Sequence, residues 1–259
     1  MPTLVITGGS SGIGRAAAQL FSQKGWQVFE LSRSGQSTPA ITHITCDVTS
    51  PAQTQAAIRE VLTHTDRIDV LIANAGFGIS GAIEFTSPED AHRQFEVNFF
   101  GALNIVQAVL PSMRLRQAGR IIFTSSVAAV LSIPYQSFYS ASKAAINALA
   151  LALQNEVRAY HICVSVLMPG DVATGFTAAR HKSEAGSQAY GRIHNAVAAM
   201  ERDEQSGMTP LHMARLLYRI ATRRYPAPQY VGGFRYRLFC LLDRLLPKRL
   251  VNFIVGQLY

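Results

Sequence analysis

Three glycines, Gly8, Gly12 and Gly14, stand between an apolar run from Thr3 to Thr7 and a helical run over 15–24. The order of strand, glycine turn and helix restricts the possible folds more than any other feature of the chain. A helix N-terminus presents unpaired backbone N–H groups and the positive end of its dipole, so it attracts phosphate. Only glycine lets a backbone come close to a pyrophosphate. A plain strand-to-helix turn does not explain three glycines at these places. The turn Gly8-Gly9-Ser10-Ser11-Gly12-Ile13-Gly14 is therefore expected to cradle the phosphates of a dinucleotide.

The rest of the chain repeats the same rhythm. Apolar runs near 4–7, 27–31, 42–46, 70–73, 120–124, 163–167 and 229–231 predict strands. Amphipathic runs near 13–24, 51–62, 88–95, 99–116 and 138–160 predict the helices between them. Such alternation argues for an α/β fold, a Rossmann-type doubly wound parallel sheet with helices on both faces. With 259 residues, 48% of them hydrophobic, the chain is expected to be a single domain over 1–259. Two stretches break the rhythm. Residues 171–207, with four glycines and scattered charge after Pro169-Gly170, predict a substrate-binding lid, and residues 232–259 a basic, apolar, helical C-terminal extension.

A second signature lies in the middle of the chain, where Lys143 follows Tyr139 by four residues on a predicted helix. Positions i and i+4 share a face, so an ammonium there would favour the phenolate. An unperturbed tyrosine titrates near ~10, and each unit of lowering represents ~1.4 kcal/mol of differential stabilisation. A proton relay at neutral pH follows from that pairing. The bland reading, a solvated lysine beside a surface tyrosine, does not account for the glycine turn as well.

Taken together, the motifs resemble the short-chain dehydrogenase/reductase family. They run in family order: Thr7-Gly8-Gly9-Ser10-Ser11-Gly12-Ile13-Gly14, Cys46-Asp47-Val48, Ala73-Asn74-Ala75-Gly76, Val97-Asn98, Ser126, Tyr139-x-x-x-Lys143 and Pro169-Gly170-x-x-x-Thr174. The resemblance implies a catalytic tetrad of Asn98, Ser126, Tyr139 and Lys143. Tyr139 would move the proton, Ser126 would bind the reacting oxygen, Lys143 would lower the Tyr139 pKa and hold the nicotinamide ribose, and Asn98 would hold a water linked to Lys143. Ser126, thirteen residues before Tyr139, has the family spacing that its neighbour Ser125 lacks. The resemblance also implies cofactor contacts from Gly8, Ser10, Ser11, Gly12, Ile13 and Gly14. Further contacts are expected from Asp47 and Val48 at the adenine, from Asn74, Ala75 and Gly76, and from Pro169, Gly170 and Thr174.

Distance from Gly8 places Ser32 where NAD enzymes of the family carry Asp, and Arg33 follows it. A guanidinium pairs a 2′-phosphate, so the cofactor expected is NADP(H) in preference to NAD(H). Glu30 lies two residues early, within the strand, and reads as a buried or paired strand residue.

Composition narrows the remaining classes. The three cysteines, Cys46, Cys163 and Cys240, show no Cys-x-x-Cys spacing, and a signal peptide does not fit a phosphate site beginning at Thr3. A reduced, cytoplasmic protein is expected. The seven histidines show no metal-ligand spacing. From Met213 onward nine basic residues face one acid, so this segment holds the whole net charge of +8. That charge is interleaved with leucine and phenylalanine and lacks a nucleic-acid motif, which excludes nucleic acid as the expected partner.

The tail, with Leu246-Pro247-Lys248-Arg249-Leu250, is similar to relatives of retinol and hydroxysteroid dehydrogenases and acyl-dihydroxyacetone-phosphate reductases. An oxidoreductase of a large apolar alcohol or ketone follows, and the rival is a catalytically silent dinucleotide-binding sensor or scaffold. For residues 234–259 two roles stand: peripheral contact with an anionic membrane, or a helix covering the pocket or a second subunit. Family resemblance implies a homodimer or homotetramer through the helices at 99–116 and 138–160.

Overall fold

The computed structural model describes residues 1–183 and 185–259; residue 184, inside the expected lid, lies outside the described residues. Seven parallel strands form the central sheet. In chain order the strands are β1 (Thr3–Thr7), β2 (Gln27–Ser32), β3 (Thr42–Thr45), β4 (Val70–Ala73), β5 (Ile79–Ser80), β6 (Gly119–Thr124), β7 (Ile162–Pro169), β8 (His181–Lys182) and β9 (Gln229–Gly232). The sheet order is β3-β2-β1-β4-β6-β7-β9, and β5 pairs with β8 in a separate two-stranded ribbon. The helices are α1 (Gly12–Gln23), α2 (Pro51–His64), α3 (Pro88–Phe95), α4 (Gly101–Leu115), α5 (Ser137–Glu156), α6 (Phe176–Ala179), α7 (Ile193–Gln205), α8 (Pro210–Thr222), α9 (Phe234–Leu245) and α10 (Lys248–Leu258).

Each central strand feeds two cores, because successive side chains point to opposite faces. On β1, Val5 joins Phe29, Phe123, Ile105 and Ile146 under α2, α4 and α5, while Leu4 and Ile6 join Phe21, Leu217 and Ile220 under α1 and α8. Burial on both sides explains why the centre of β1 and the whole of β4 read as unbroken apolar runs.

All seven strands anticipated for the main sheet are present, to within two residues at either end. The sequence reading omitted α8, which packs along α1 and buries Met213, Leu216, Leu217 and Ile220. Its signals were present: Thr209 caps the helix by accepting from the His212 N–H, and Pro210 occupies the first turn. The expected loop over 171–207 also contains more structure than its composition suggests, with α6, β8 and α7 inside it. The extension is helical as expected, and Pro247 divides it into α9 and α10.

Candidate active site

The chain order reverses across β1. From β1 the path leads through α1 to β2 on one side, and β4 takes up the other side. Loops leaving the carboxyl ends of β1 and β4 therefore diverge and leave a crevice between them, which in open α/β sheets is where ligands bind. A cavity of about 1050 Å³ occupies that edge. Of the residues expected from the sequence to form the site, all but Gly14 and Asn98 line it.

The glycine turn is built as a cradle. Gly8 and Gly12 have φ of +66° and +51°, values that side-chain-bearing residues rarely adopt. Gly14 instead lies beneath the turn, where an added Cβ would meet the Gly8 carbonyl and the Asn74 side chain, so its role is close packing. Asn74 ties the turn to β4: its amide Nδ2 donates to the Thr7 carbonyl at 3.1 Å, and the Thr7 hydroxyl accepts from the Asn74 and Ala75 N–H groups. Ser50, Ser87 and Thr209 cap α2, α3 and α8 with their side chains, whereas Ser11 makes no such bond to α1, whose first turn also lacks an acid. The first amides of α1 are thus left for an anion, in a cavity shaped to hold one. These residues fit the pyrophosphate of a nicotinamide dinucleotide.

At the far end of β2, Ser32 and Arg33 line the cavity. Arg33 is exposed and makes no ion pair among the described residues. Glu30 is 4% exposed and holds His43 Nδ1 at 2.5 Å, beneath Gly9, so its carboxylate is committed to the strand interior. Asp47, beside Val48, spends its Oδ1 on the backbone and hydroxyl of Thr49.

Tyr139 and Lys143 project from the first turns of α5, and Ser126 lies just past the end of β6. The Lys143 Nζ donates to the Thr124 carbonyl at 2.9 Å and lies 5.8 Å from the Tyr139 ring centroid. Asn98 sits in a π-helical turn, Glu96–Phe100, a rare widening that recurs at functional sites. The Phe77 N–H donates to its Oδ1, and its Nδ2 reaches the Phe77 carbonyl and the Ser142 hydroxyl. Asn98 and Lys143 meet across Gly76, where a Cβ would lie 3.1 Å from Asn98 Oδ1 and 3.4 Å from Lys143 Nζ.

The electrostatics correct one expectation. Burial pushes the Tyr139 phenol up to about 12, with the Ser126 hydroxyl opposing the rise. The Lys143 ammonium, with its Nζ turned to the Thr124 carbonyl, is not among the groups that move the phenol. Burial also lowers Lys143 itself to about 8. In the protein alone desolvation outweighs the i,i+4 pairing, and both groups are driven toward their neutral forms.

Sequence reasoning missed the wall opposite. Phe176 of α6 packs on Tyr139 with ring centroids 5.7 Å apart, and Ala179, Met200 and Glu204 also line the cavity. Glu204 accepts from Thr177 Oγ1 at 2.6 Å and pairs with the buried Arg180. The tail reaches in as well: Tyr259 lines the cavity, and the Tyr236 hydroxyl donates to Asp171. No local pattern marks these residues, because only tertiary packing brings them to the site. Tyr135, flanking the region in sequence, packs instead against Tyr190.

Comparison with known proteins gives a consistent result. A family model described as short chain dehydrogenase matches residues 2–185. The chain is 36% identical over 261 residues to the 3-ketodihydrosphingosine reductase of Bacteroides thetaiotaomicron, covering 99% of this chain and 97% of that protein. It is 35% identical over 191 residues to dehydrogenase/reductase SDR family member 7B of Bos taurus, covering 67% of this chain and 59% of that one. Among solved structures, a short-chain dehydrogenase from Streptomyces avermitilis superposes with a TM-score of 0.86 at 28% identity, covering 94% of this chain and 93% of that one. A short-chain dehydrogenase/reductase from Burkholderia phymatum in complex with NAD gives 0.80 at 26% identity, covering 93% and 92%.

The depressed Lys143 has a measurable consequence. A group held at about 8, against 10.5 when unperturbed, makes folding carry a charging cost of about 3 kcal/mol that is fully present below pH 8. That cost fades as pH rises toward 10.5, because the unfolded chain then binds more protons than the folded one. Lys143→Met removes the charge and leaves the Thr124 carbonyl unpaired, a pH-independent loss. In urea unfolding without cofactor, parent stability should therefore rise relative to the variant between about pH 8 and 10. A difference that stays constant across this range would show that the buried ammonium is not disfavoured.

Proposed function

The chain belongs to the short-chain dehydrogenase/reductase family, and we propose that within it this protein is an NADP(H)-dependent oxidoreductase of a large apolar ketone or secondary alcohol, with Tyr139 as its acid/base. Membership makes it an NAD(P)-dependent enzyme acting on carbonyl or CH–OH groups. The finer reading rests on one observation: Ser126, Tyr139 and Lys143 line the same cavity as the open N-terminus of α1.

The nicotinamide, when bound, supplies or accepts the hydride. Gly8, Ser10, Ser11, Gly12 and Ile13 would hold the pyrophosphate, Asp47 and Val48 the adenine side, and Ala75, Gly76, Pro169, Gly170 and Thr174 the remainder of the dinucleotide. The chain's own part is proton transfer and charge stabilisation. The Tyr139 hydroxyl donates to a forming alkoxide or accepts from an alcohol. Ser126 donates to the same oxygen and stabilises charge as it develops. Lys143, held by Thr124, would grip the ribose, and Asn98 fixes the backbone of Phe77 beside it. Arg33, free of carboxylates, supports NADP(H), and Glu30, bound to His43, is withdrawn from competition for a ribose hydroxyl.

Phe176, Ala179 and Met200 give the substrate end an apolar wall, which supports a bulky apolar substrate. The printed name of the Bacteroides relative, a reductase of 3-ketodihydrosphingosine, supports a long-chain lipid ketone. Residues 171–207 act as the lid of this site in the same reading. The tail supports access from a lipid surface: Phe234, Leu245 and Phe253 are 82%, 71% and 64% exposed among the basic residues of α9 and α10. No helix among the described residues is long and apolar enough to cross a membrane, so the contact proposed is peripheral, for a protein placed in the cytoplasm. Exposed Phe100, Leu115 and Leu151 along α4 and α5 support a homodimer or homotetramer through those helices.

Tyr139→Phe keeps the ring against Phe176 and loses only the proton donor. Turnover of lipid ketones with NADPH should fall by about a thousandfold or more, with NADPH affinity little changed. Activity within a few-fold of the parent would remove Tyr139 from the mechanism.

Arg33→Ala should weaken NADPH by about 1.5–3 kcal/mol and leave NADH nearly untouched. Fluorescence titration with the two cofactors decides this, and equal losses would exclude a 2′-phosphate role.

The tail reading predicts sedimentation with anionic vesicles, weakened by salt. The exposed pair Leu245→Ser and Phe253→Ser should lose that binding while keeping NADPH turnover of a soluble ketone. Equal recovery of parent and variant in the supernatant would leave α9 and α10 a covering role only.

A further inference from the structure

A second concavity, of about 850 Å³, lies at the opposite edge of the sheet, where β1, β4, β6 and β7 begin and α4, α5 and α8 end. Five arginines line it: Arg67, Arg116, Arg120, Arg158 and Arg224. Among the described residues Asp69 is the one carboxylate in its wall, and it is already shared. It pairs with Arg67 and Arg116 and also accepts from the Thr3 N–H at 2.8 Å. Arg120 donates to the Ile220 carbonyl at 3.3 Å, and neither it, Arg158 nor Arg224 has an ion-pair partner among the described residues.

A structural role for this charge falls short in magnitude. The three helix C-termini that converge here are each equivalent to about half a negative charge. With Asp69, and Asp66 which acts on Arg67, they leave roughly one to two positive charges unmatched. Like charges focused in a groove between low-dielectric walls raise the local concentration of anions. Arginine also presents a planar fork that fits phosphate oxygens bidentately.

We propose that this groove binds a soluble phosphorylated small molecule carrying two or more negative charges, at a site separate from the dinucleotide cavity. Arg158 and Arg224 are exposed at its rim and hold no backbone group, Arg224 resting on the Tyr225 ring at 5.2 Å, so both can turn to such a ligand without breaking an ion pair. Arg116 and Arg120 are anchored to the Ile68 and Ile220 carbonyls and form the fixed floor.

The test is calorimetric titration of the full chain with inorganic pyrophosphate, with and without saturating NADPH. The parent should bind with a Kd on the order of 0.1 mM in both cases, weakening as salt is raised. Arg158→Ala with Arg224→Ala should weaken it about tenfold or more while leaving NADPH affinity unchanged. Binding that NADPH abolishes would place the pyrophosphate in the dinucleotide cavity and overturn the proposal. So would an affinity unaltered by the double substitution, or heat absent from the parent titration.

Discussion

A parallel sheet sends the carboxyl ends of all its strands to one edge, and the reversal of strand order across β1 splits that edge open. Everything at the candidate site depends on this constraint. The glycine turn enters from β1, Asn74 to Gly76 from β4, Ser126 from β6 and Pro169-Gly170 from β7. Five residues of β1 in register with β2, and three with β4, hold the two walls rigidly apart. Side chains carried on such anchored strand ends stay in place, which a binding or catalytic constellation requires.

Within the crevice, desolvation is the dominant electrostatic effect. Tyr139 rises and Lys143 falls for the same reason, because burial penalises whichever form carries charge. At pH 7 Tyr139 is therefore neutral while Lys143, at about 8, still carries most of its charge, and a dinucleotide entering the cavity would alter the field that each of them feels. Helices α6 and α7 contribute their own buried pair, Arg180 with Glu204, anchored near Tyr139 through Phe176. The tail contributes Tyr236 on Asp171 and Tyr259 in the cavity wall. The cavity wall is thus completed by elements distant in sequence from Tyr139 and Lys143.

Charge is distributed unevenly between the two edges of the sheet. At the carboxyl edge both signs line the cavity, with Arg33, Arg93 and Lys143 alongside Asp47, Glu96, Asp171 and Glu204. The opposite edge concentrates arginines where three helices end. Some of that charge complements the helix ends, and Arg120, Arg158 and Arg224 have no ion-pair partner among the described residues.

The core strands were legible because a doubly buried strand has to be apolar along its whole length, as Leu4-Val5-Ile6 and Val70-Leu71-Ile72-Ala73 show. The glycine turn and the Tyr139–Lys143 pair were legible for a related reason: a left-handed glycine turn and a Tyr-Lys pair on one helical face are local geometries that fix residue type at fixed spacing. Helix α8 was overlooked although its cap and proline were in plain view, since its apolar positions sit among arginines. By itself, the sequence determined the fold class, the dinucleotide turn and the residues around Tyr139, all written in short-range patterns. Only the tertiary structure decided that Glu30 is bound to His43, that burial outweighs Lys143 at the Tyr139 phenol, and that Phe176, Glu204 and Tyr259 face the same cavity. Those outcomes turn on desolvation and on contacts between segments far apart in the chain, which no local spacing encodes.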